Sequence, residues 1–287
     1  MEIAIVVTTF CRPEILDKCL ASIINANTEQ QFPIVIIWQV GDLETSDVLA
    51  KYEDNIDHLI KIRSLGKTPL ENINMNRILG THFAFNYLKC EFVIGIEEDS
   101  MISSDALDFC NNVWHRYRGN RKFRGINLGS FELPSIAAEK DYSLIRYGTN
   151  GQAGGISKRV WSNYNFHQMM KNASAIAFDS MLENYMKTGF VVTPNRSRYV
   201  NFGWDGTHAP KDKEDSFYKR IEASWLSSPS DLSSDYKLRN ITHSWREDAI
   251  IYRKIMNFKY IVLCITLDSN LPNKIKIYIA KIVEAIL

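Results

Sequence analysis

The sequence predicts an α/β protein: a mostly parallel sheet flanked by helices, with a helical appendage at the carboxyl end. Three observations predict it. Short β-branched apolar runs alternate with amphipathic stretches over the first hundred residues. One of those runs ends directly in Glu97-Glu98-Asp99-Ser100, and the final stretch of chain interleaves lysines with isoleucines.

Taken in order, residues 3–8 are a β-branched apolar run that reads as a buried first strand, broken by Thr9-Phe10-Cys11-Arg12-Pro13. Residues 14–25 place Ile15, Leu16, Cys19, Leu20, Ile23 and Ile24 at helical spacing, with Pro13 suited to a first turn. Residues 34–40 read as a second strand closed by Gly41-Asp42, and residues 59–63 as a weaker third. Residues 73–88 predict a helix, and 92–96 the strand that carries the acidic cluster. Beyond it, residues 104–117 predict a helix capped by Ser103 or Ser104. Residues 126–131 predict a strand, 178–187 a helix, and 190–193 a short strand stopped by Pro194. The glycine-rich stretch 141–156 has neither GxxxxGK(S/T) nor GxGxxG spacing, so it reads as a loop. Residues 203–235, rich in Gly, Ser, Asp and Pro, read as a mobile loop region.

These elements divide the chain into a domain over 1–240 and a helical extension over 241–287. Within the domain, 1–100 is a nucleotide-binding half and 101–240 an acceptor and catalytic half. The extension either packs back on the sheet or lies on an anionic membrane surface as a cationic amphipathic helix. No stretch approaches the roughly 18 apolar residues that span a bilayer.

Composition narrows the function classes. The 287 residues are 45% hydrophobic and 23% charged, which suits a soluble globular protein with a sizeable core. A net charge of +1 carries no polyanion-binding signature, so no nucleic-acid partner is expected. Five scattered cysteines without CxxC spacing argue against a disulfide framework or a zinc site and favour a reducing compartment. The first residues show no basic leader and no long apolar stretch. A cytoplasmic location is expected, with peripheral contact at the inner face of the membrane an option through the C-terminal extension.

The acidic cluster is the main functional signal. Three consecutive carboxylates at a strand end repel one another unless a cation shares them. Oxygen ligands of this kind suit Mg²⁺ or Mn²⁺, especially with phosphates completing the shell, and open α/β sheets bind ligands at carboxyl strand ends. The alternative is an acidic turn that solvates the strand end.

The motifs together resemble the GT-A glycosyltransferases of the large inverting family 2, and the middle part is similar to the N-acetylglucosaminyltransferase I group. The likeness covers residues 1–210. Val7-Thr8-Thr9-Phe10-Cys11-Arg12-Pro13 resembles the family's first strand and T-x-x-R-P turn, and Asn76-Arg77-Ile78-Leu79-Gly80 the helix before its metal motif. Residues 92–100 look like an E-D-D variant of the DXD motif, with Glu98 in place of the usual middle aspartate and Ser100 at an apolar position. Ala177-Phe178-Asp179-Ser180 aligns with the segment that holds the catalytic aspartate, although Ser180 departs from close relatives. Residues 193–203 resemble a P-x-x-S-R stretch and the F-G turn after it.

The resemblance implies a metal-dependent, inverting transfer of a hexosyl or N-acetylhexosaminyl group from a nucleotide-diphosphate sugar, with a UDP-sugar expected. The acceptor is a glycan or lipid-linked glycan in bacterial polysaccharide or lipopolysaccharide synthesis. It casts Asp99 as ligand of Mn²⁺ or Mg²⁺ and Asp179 as general base, against a plain helix-start charge for Asp179. Glu97 and Glu98 would serve the donor's hydroxyls and the metal's waters. Thr8, Thr9, Arg12 and Asp42, at the ends of the first two strands, and Asn76 and Arg77 are candidate donor contacts. Arg12 either meets a phosphate or carboxylate or caps its loop. His208 either completes the metal shell or is an exposed loop histidine, and Trp204 either stacks on an acceptor sugar or plugs the core. Two other classes remain. A nucleotidyltransferase should carry a basic glycine-rich loop after the first strand, which Thr9-Phe10-Cys11-Arg12-Pro13 does not supply. A non-catalytic nucleotide- or carbohydrate-binding module is the other.

Overall fold

The computed structural model describes residues 2–129, 142–145, 153–186 and 188–201. The expected loop region at 203–235, the extension at 241–287, Trp204 and His208 lie outside the described residues.

The chain opens with strand β1 (Ile3–Thr9), helix α1 (Pro13–Ala26) and β2 (Ile34–Gln39). Helix α2 (Leu43–Lys51), β3 (His58–Ile62), α3 (Pro69–His82) and β4 (Phe92–Glu97) follow. Strands β3, β2, β1 and β4 lie side by side in that order and run parallel. The chain therefore winds outward from β1 to β3 and then returns to the other side of β1. The seam between β1 and β4 is the point where the winding reverses, the place where a crevice forms outside the carboxyl strand ends.

Past β4 the sheet becomes mixed. A short β5 (Ser100–Ile102) leaves the main sheet, followed by α4 (Ala106–Tyr117) and β6 (Phe123–Asn127). Next come β7 (Tyr142–Ile145), β8 (Ala153–Ser157), α5 (Lys158–Trp161), α6 (Phe166–Asn172), α7 (Phe178–Met186), β9 (Phe190–Pro194) and β10 (Tyr199–Asn201). The eight-stranded order is β3-β2-β1-β4-β8-β6-β9-β7, with β8 antiparallel to both β4 and β6. Strand β10 pairs antiparallel with β5, which sets Asn201 opposite Ser100, beside the acidic cluster.

Alternation along the central strands feeds two cores. Ile3, Ile5 and Val7 face α1, α2 and α4, packing with Leu16, Leu20, Ile23, Phe109 and Val113. Ala4 and Val6 face the other side, with Ile78 of α3, Trp161 of α5 and Leu182 and Met186 of α7. Covered on both faces, β1 and β2 read as unbroken apolar runs, and each fully buried side chain contributes about 1.5–3 kcal/mol.

Three expectations change. The helix expected at 73–88 starts earlier, because Thr68 accepts the Glu71 N–H at 3.2 Å and Pro69 fills the first turn. Its end continues as a π-helical turn, Phe83–Tyr87. The glycine-rich stretch read as a loop contains strand β8. Side-chain bulk is excluded there: a Cβ on Gly155 would overlap the Phe92 ring, so a strand at this place requires glycine. The strand expected at 126–131 begins earlier, at Phe123, and two of its residues fall outside the described ones.

Gly80 lets α3 approach the sheet. A Cβ there would overlap Val6 Cγ1 and stand 2.8 Å from Ile37 Cγ1, both branched side chains locked in the core. Gly80→Ala is expected to lose about 1–3 kcal/mol of stability by overpacking, despite alanine's better helix propensity. Gly119→Ala, with nothing within 4 Å of the new methyl, should change stability by less than about 0.5 kcal/mol. Urea denaturation of both variants checks this; a Gly80→Ala protein as stable as wild type contradicts it.

Candidate active site

The acidic cluster sits at the β1–β4 seam, and each of its carboxylates has its own partners. The Glu98 N–H donates to the Thr8 carbonyl at 3.2 Å, extending the β1–β4 pairing by one residue. Glu98 Oε2 accepts the Thr9 hydroxyl at 2.5 Å and the Phe10 N–H at 2.7 Å, latching the turn after β1 to the end of β4. Asp99 Oδ2 accepts from Arg12 Nη1 at 3.2 Å and Oδ1 from Asn201 Nδ2 at 3.0 Å. Glu97 Oε1 accepts from Arg77 Nη1 at 3.0 Å. The other terminal nitrogen of Arg77 lies 3.6 Å from Asp179 Oδ1, in the first turn of α7.

Asp99 and Asp179, far apart in sequence, thus belong to one cluster of four carboxylates and two guanidinium groups among the described residues. Burial is the main influence on the carboxyl groups of the cluster. Burial, with the neighbouring carboxylates adding to it against Arg77, pushes the Glu97 carboxyl up to about 7. Burial also pushes Glu98 up to about 7, opposed by the Thr9 and Phe10 hydrogen bonds and by Arg12. Asp179 is raised by burial and held back by Arg77. Glu97 and Asp179 keep 23% and 31% of their side chains exposed, and Asp179 lines a cavity with Arg77.

The remaining candidates are placed as follows. Thr8 borders a cavity of about 40 Å³ below the Arg77–Asp179 pair, together with Gly95, Asn127 and Phe178. Asp42 caps α2, accepting the Thr45 N–H at 2.5 Å and the Thr45 hydroxyl at 3.0 Å. Burial and the neighbouring Asp42 push the Cys11 thiol up to about 12. Asn76 Nδ2 donates to Gln39 Oε1 at 3.3 Å, and Asn76 Oδ1 is buried without a partner among the described residues. Arg12 Nη2 is likewise buried and unpaired. A buried polar atom without a partner in a crevice is uncommon enough to mark where a ligand's polar groups can bind.

Asp99 is the carboxylate best placed to hold a divalent cation: among the described residues its oxygens meet the Arg12 ion pair on one side and the Asn201 amide on the other, both of which a cation can displace. Mg²⁺ and Mn²⁺ typically take one or two protein carboxylates, with phosphate oxygens and waters completing the shell. The arrangement fits that mode rather than an all-protein cage, as no group of three His, Cys, Asp or Glu side chains suited to a metal occurs among the described residues.

Sequence reasoning assigned no role to Asn201, Asn74 or Gln39. Asn201 reaches Asp99 only because β10 pairs with β5, a contact no local pattern announces. Asn74 accepts the Phe178 N–H at 2.9 Å and so ties α3 to the start of α7.

No family model matches the sequence, and no curated protein matches it. The fold is similar to that of TarS from S. aureus. A structure of TarS 1–349 shares 11% identity with a TM-score of 0.52, the match covering 98% of this chain and 69% of that one. The same fragment in complex with UDP gives 10% identity and a TM-score of 0.52, covering 98% and 70%. A longer TarS chain gives 11% identity and a TM-score of 0.52, covering 96% of this chain and 41% of its own length. At this identity the likeness establishes architecture alone: the fold is of the GT-A type.

Proposed function

We propose that this chain is a metal-dependent, inverting glycosyltransferase of the cytoplasm. It moves a sugar from a nucleotide diphosphate, a UDP-sugar in the first instance, to a glycan or lipid-linked glycan of bacterial surface-polysaccharide synthesis. The observation that carries the reading is that Arg77 joins Asp179 to Glu97, two residues before Asp99, at the β1–β4 seam of a GT-A-type fold. A TarS structure of the same fold holds UDP, which makes uridine diphosphate the first ligand to try.

The residues divide the work. Asp99 would hold Mn²⁺ or Mg²⁺; when bound, the cation neutralises charge building on the leaving diphosphate. Arg12 Nη2, buried and unpaired, is a donor available to a phosphate oxygen. Asp179 accepts the proton of the attacking hydroxyl, and a base acting from the face opposite the leaving group gives inversion. His208 and Trp204 are retained as proposed metal ligand and acceptor contact.

Asp99→Ala is expected to lose at least about tenfold in Mn²⁺-dependent UDP affinity by calorimetry, the scale of one charged ligand interaction. Asp179→Ala should keep that affinity and lose turnover of UDP-sugars by about 10²–10⁴-fold. Full turnover in both variants sinks the assignment.

A second prediction follows from the carboxyl groups. Glu97 and Glu98 stay protonated in the folded protein up to about 7, against 4.5 for an ordinary glutamate. Between those values the folded form binds more protons than the unfolded one. Stability of the metal-free protein therefore falls as pH rises through that window and levels off above it. Mn²⁺ with UDP competes with those protons, so its added thermal stabilisation should be larger at about pH 8 than at about pH 5.5. The double variant Glu97→Gln/Glu98→Gln should flatten the metal-free slope. Equal stabilisation at both pH values, or an unchanged slope, counts against the account.

A further inference from the structure

Asn74 and Arg77 lie three residues apart on α3 and so share one face of the helix. Asn74 is buried, and its whole amide is used: it accepts the Phe178 N–H at 2.9 Å and donates to the Ala173 and Ile176 carbonyls at 2.8 and 3.2 Å. The start of α7 is thereby fastened to α3 one residue before Asp179. Arg77 lies over the Phe178 ring at 4.6 Å and reaches Glu97 with Nη1 and Asp179 with Nη2. Its side chain is 13% exposed, with Nη1 hydrogen-bonded to Glu97 at 3.0 Å and Nη2 in ion-pair range of Asp179 at 3.6 Å.

The sheet side of the guanidinium is open. A Cβ on Gly95 would stand 4.0 Å from Arg77 Nη2, and the cavity of about 40 Å³ lies beside it. Arg77 is held by its two carboxylates and by Phe178, not by a packed wall on that side. Glu97 in turn belongs to the same strand end as Asp99. One guanidinium therefore sets the spacing between the acidic motif and Asp179.

We propose that Arg77 is a positioning residue, which holds the Asp179 carboxylate at fixed reach from the Glu97-Glu98-Asp99 motif and neutralises the repulsion between them. This rests on the reading of Asp179 as base. Without the cation, Glu97 and Asp179 repel and the aspartate gains rotamer freedom. A displacement of about 1 Å at a reacting group costs on the order of 100-fold in rate. The fork is specific, since a lysine is a single point charge and cannot engage two carboxylates through separate nitrogens.

The test is Mn²⁺-dependent hydrolysis of the UDP-sugar that the wild type turns over fastest, chosen from UDP-glucose, UDP-galactose and their 2-acetamido counterparts. Arg77→Gln should lower kcat by about 100-fold while KM and the UDP Kd stay within about threefold. Arg77→Lys should restore part of that loss, and because it keeps the charge it carries the test if the glutamine variant fails to fold: kcat about tenfold down, KM unmoved. In an Asp179→Asn background, Arg77→Gln should add no further loss, since both changes remove the same contribution. The proposal is overturned if Arg77→Gln raises KM and leaves kcat alone, which marks a donor contact, or if the two losses multiply. A wild type that turns over UDP-sugars and loses this in Asp179→Asn but not in Arg77→Gln overturns this inference alone. A wild type that binds no UDP with Mn²⁺ overturns the underlying reading, and this inference with it.

Discussion

Carboxylates crowded at a strand end are costly, and around the β1–β4 seam the structure answers that cost with two guanidinium groups and several aimed hydrogen bonds. Arg12 faces Asp99 and Glu98, and Arg77 faces Glu97 and Asp179. Taking one partner away from a buried charge pair typically costs more than the pair itself contributes, because the remaining charge stays unmatched. The cluster is accordingly a poor device for stability. Retaining it makes sense if a ligand cation and a phosphate group complete the balance.

The architecture puts those groups in place through two elements on opposite faces of the sheet. The turn after β1 leads into α1 and supplies Thr9, Phe10 and Arg12 to the acidic motif. Helix α3, held close by Gly80, supplies Asn74 and Arg77 from the other face. A third connection, β10 on β5, brings Asn201 to the free side of Asp99. The buried Arg198–Asp105 pair at 3.0 Å and the Ser103 N–H bond to the Arg198 carbonyl at 2.9 Å anchor that hairpin-like pairing. The site is therefore built from segments 20 to 104 residues apart, each referenced to the same strand end.

Much of the fold was legible in sequence where one physical signal dominates. Strands β1, β2 and β4 are apolar on both faces, so their composition alone marks central parallel strands. The helix with Leu16, Leu20 and Ile23 shows its face through spacing. Strand β8 was hidden because Gly155 answers to the Phe92 ring on the neighbouring strand β4, a constraint that local propensity cannot register. Helix α2 was also missed, although Asp42 followed by Thr45 is a capping pattern; the same aspartate had been read toward a nucleotide. At the site, the carboxylates could be named from their order along the chain. Of their partners, Arg12 could be placed toward a carboxylate from its position after the first strand, whereas Arg77 meets Asp179 and Asn201 meets Asp99 only through tertiary packing.

The most direct measurement is a crystal structure of the protein with Mn²⁺ and UDP, with the metal located by its anomalous scattering. The account predicts a manganese peak about 2.1 Å from an Asp99 oxygen and bridging to the diphosphate, with the Arg12 or Asn201 contact to that oxygen released. A diphosphate bound elsewhere, with Asp99 still hydrogen-bonded to both Arg12 and Asn201 and no metal beside it, would contradict it.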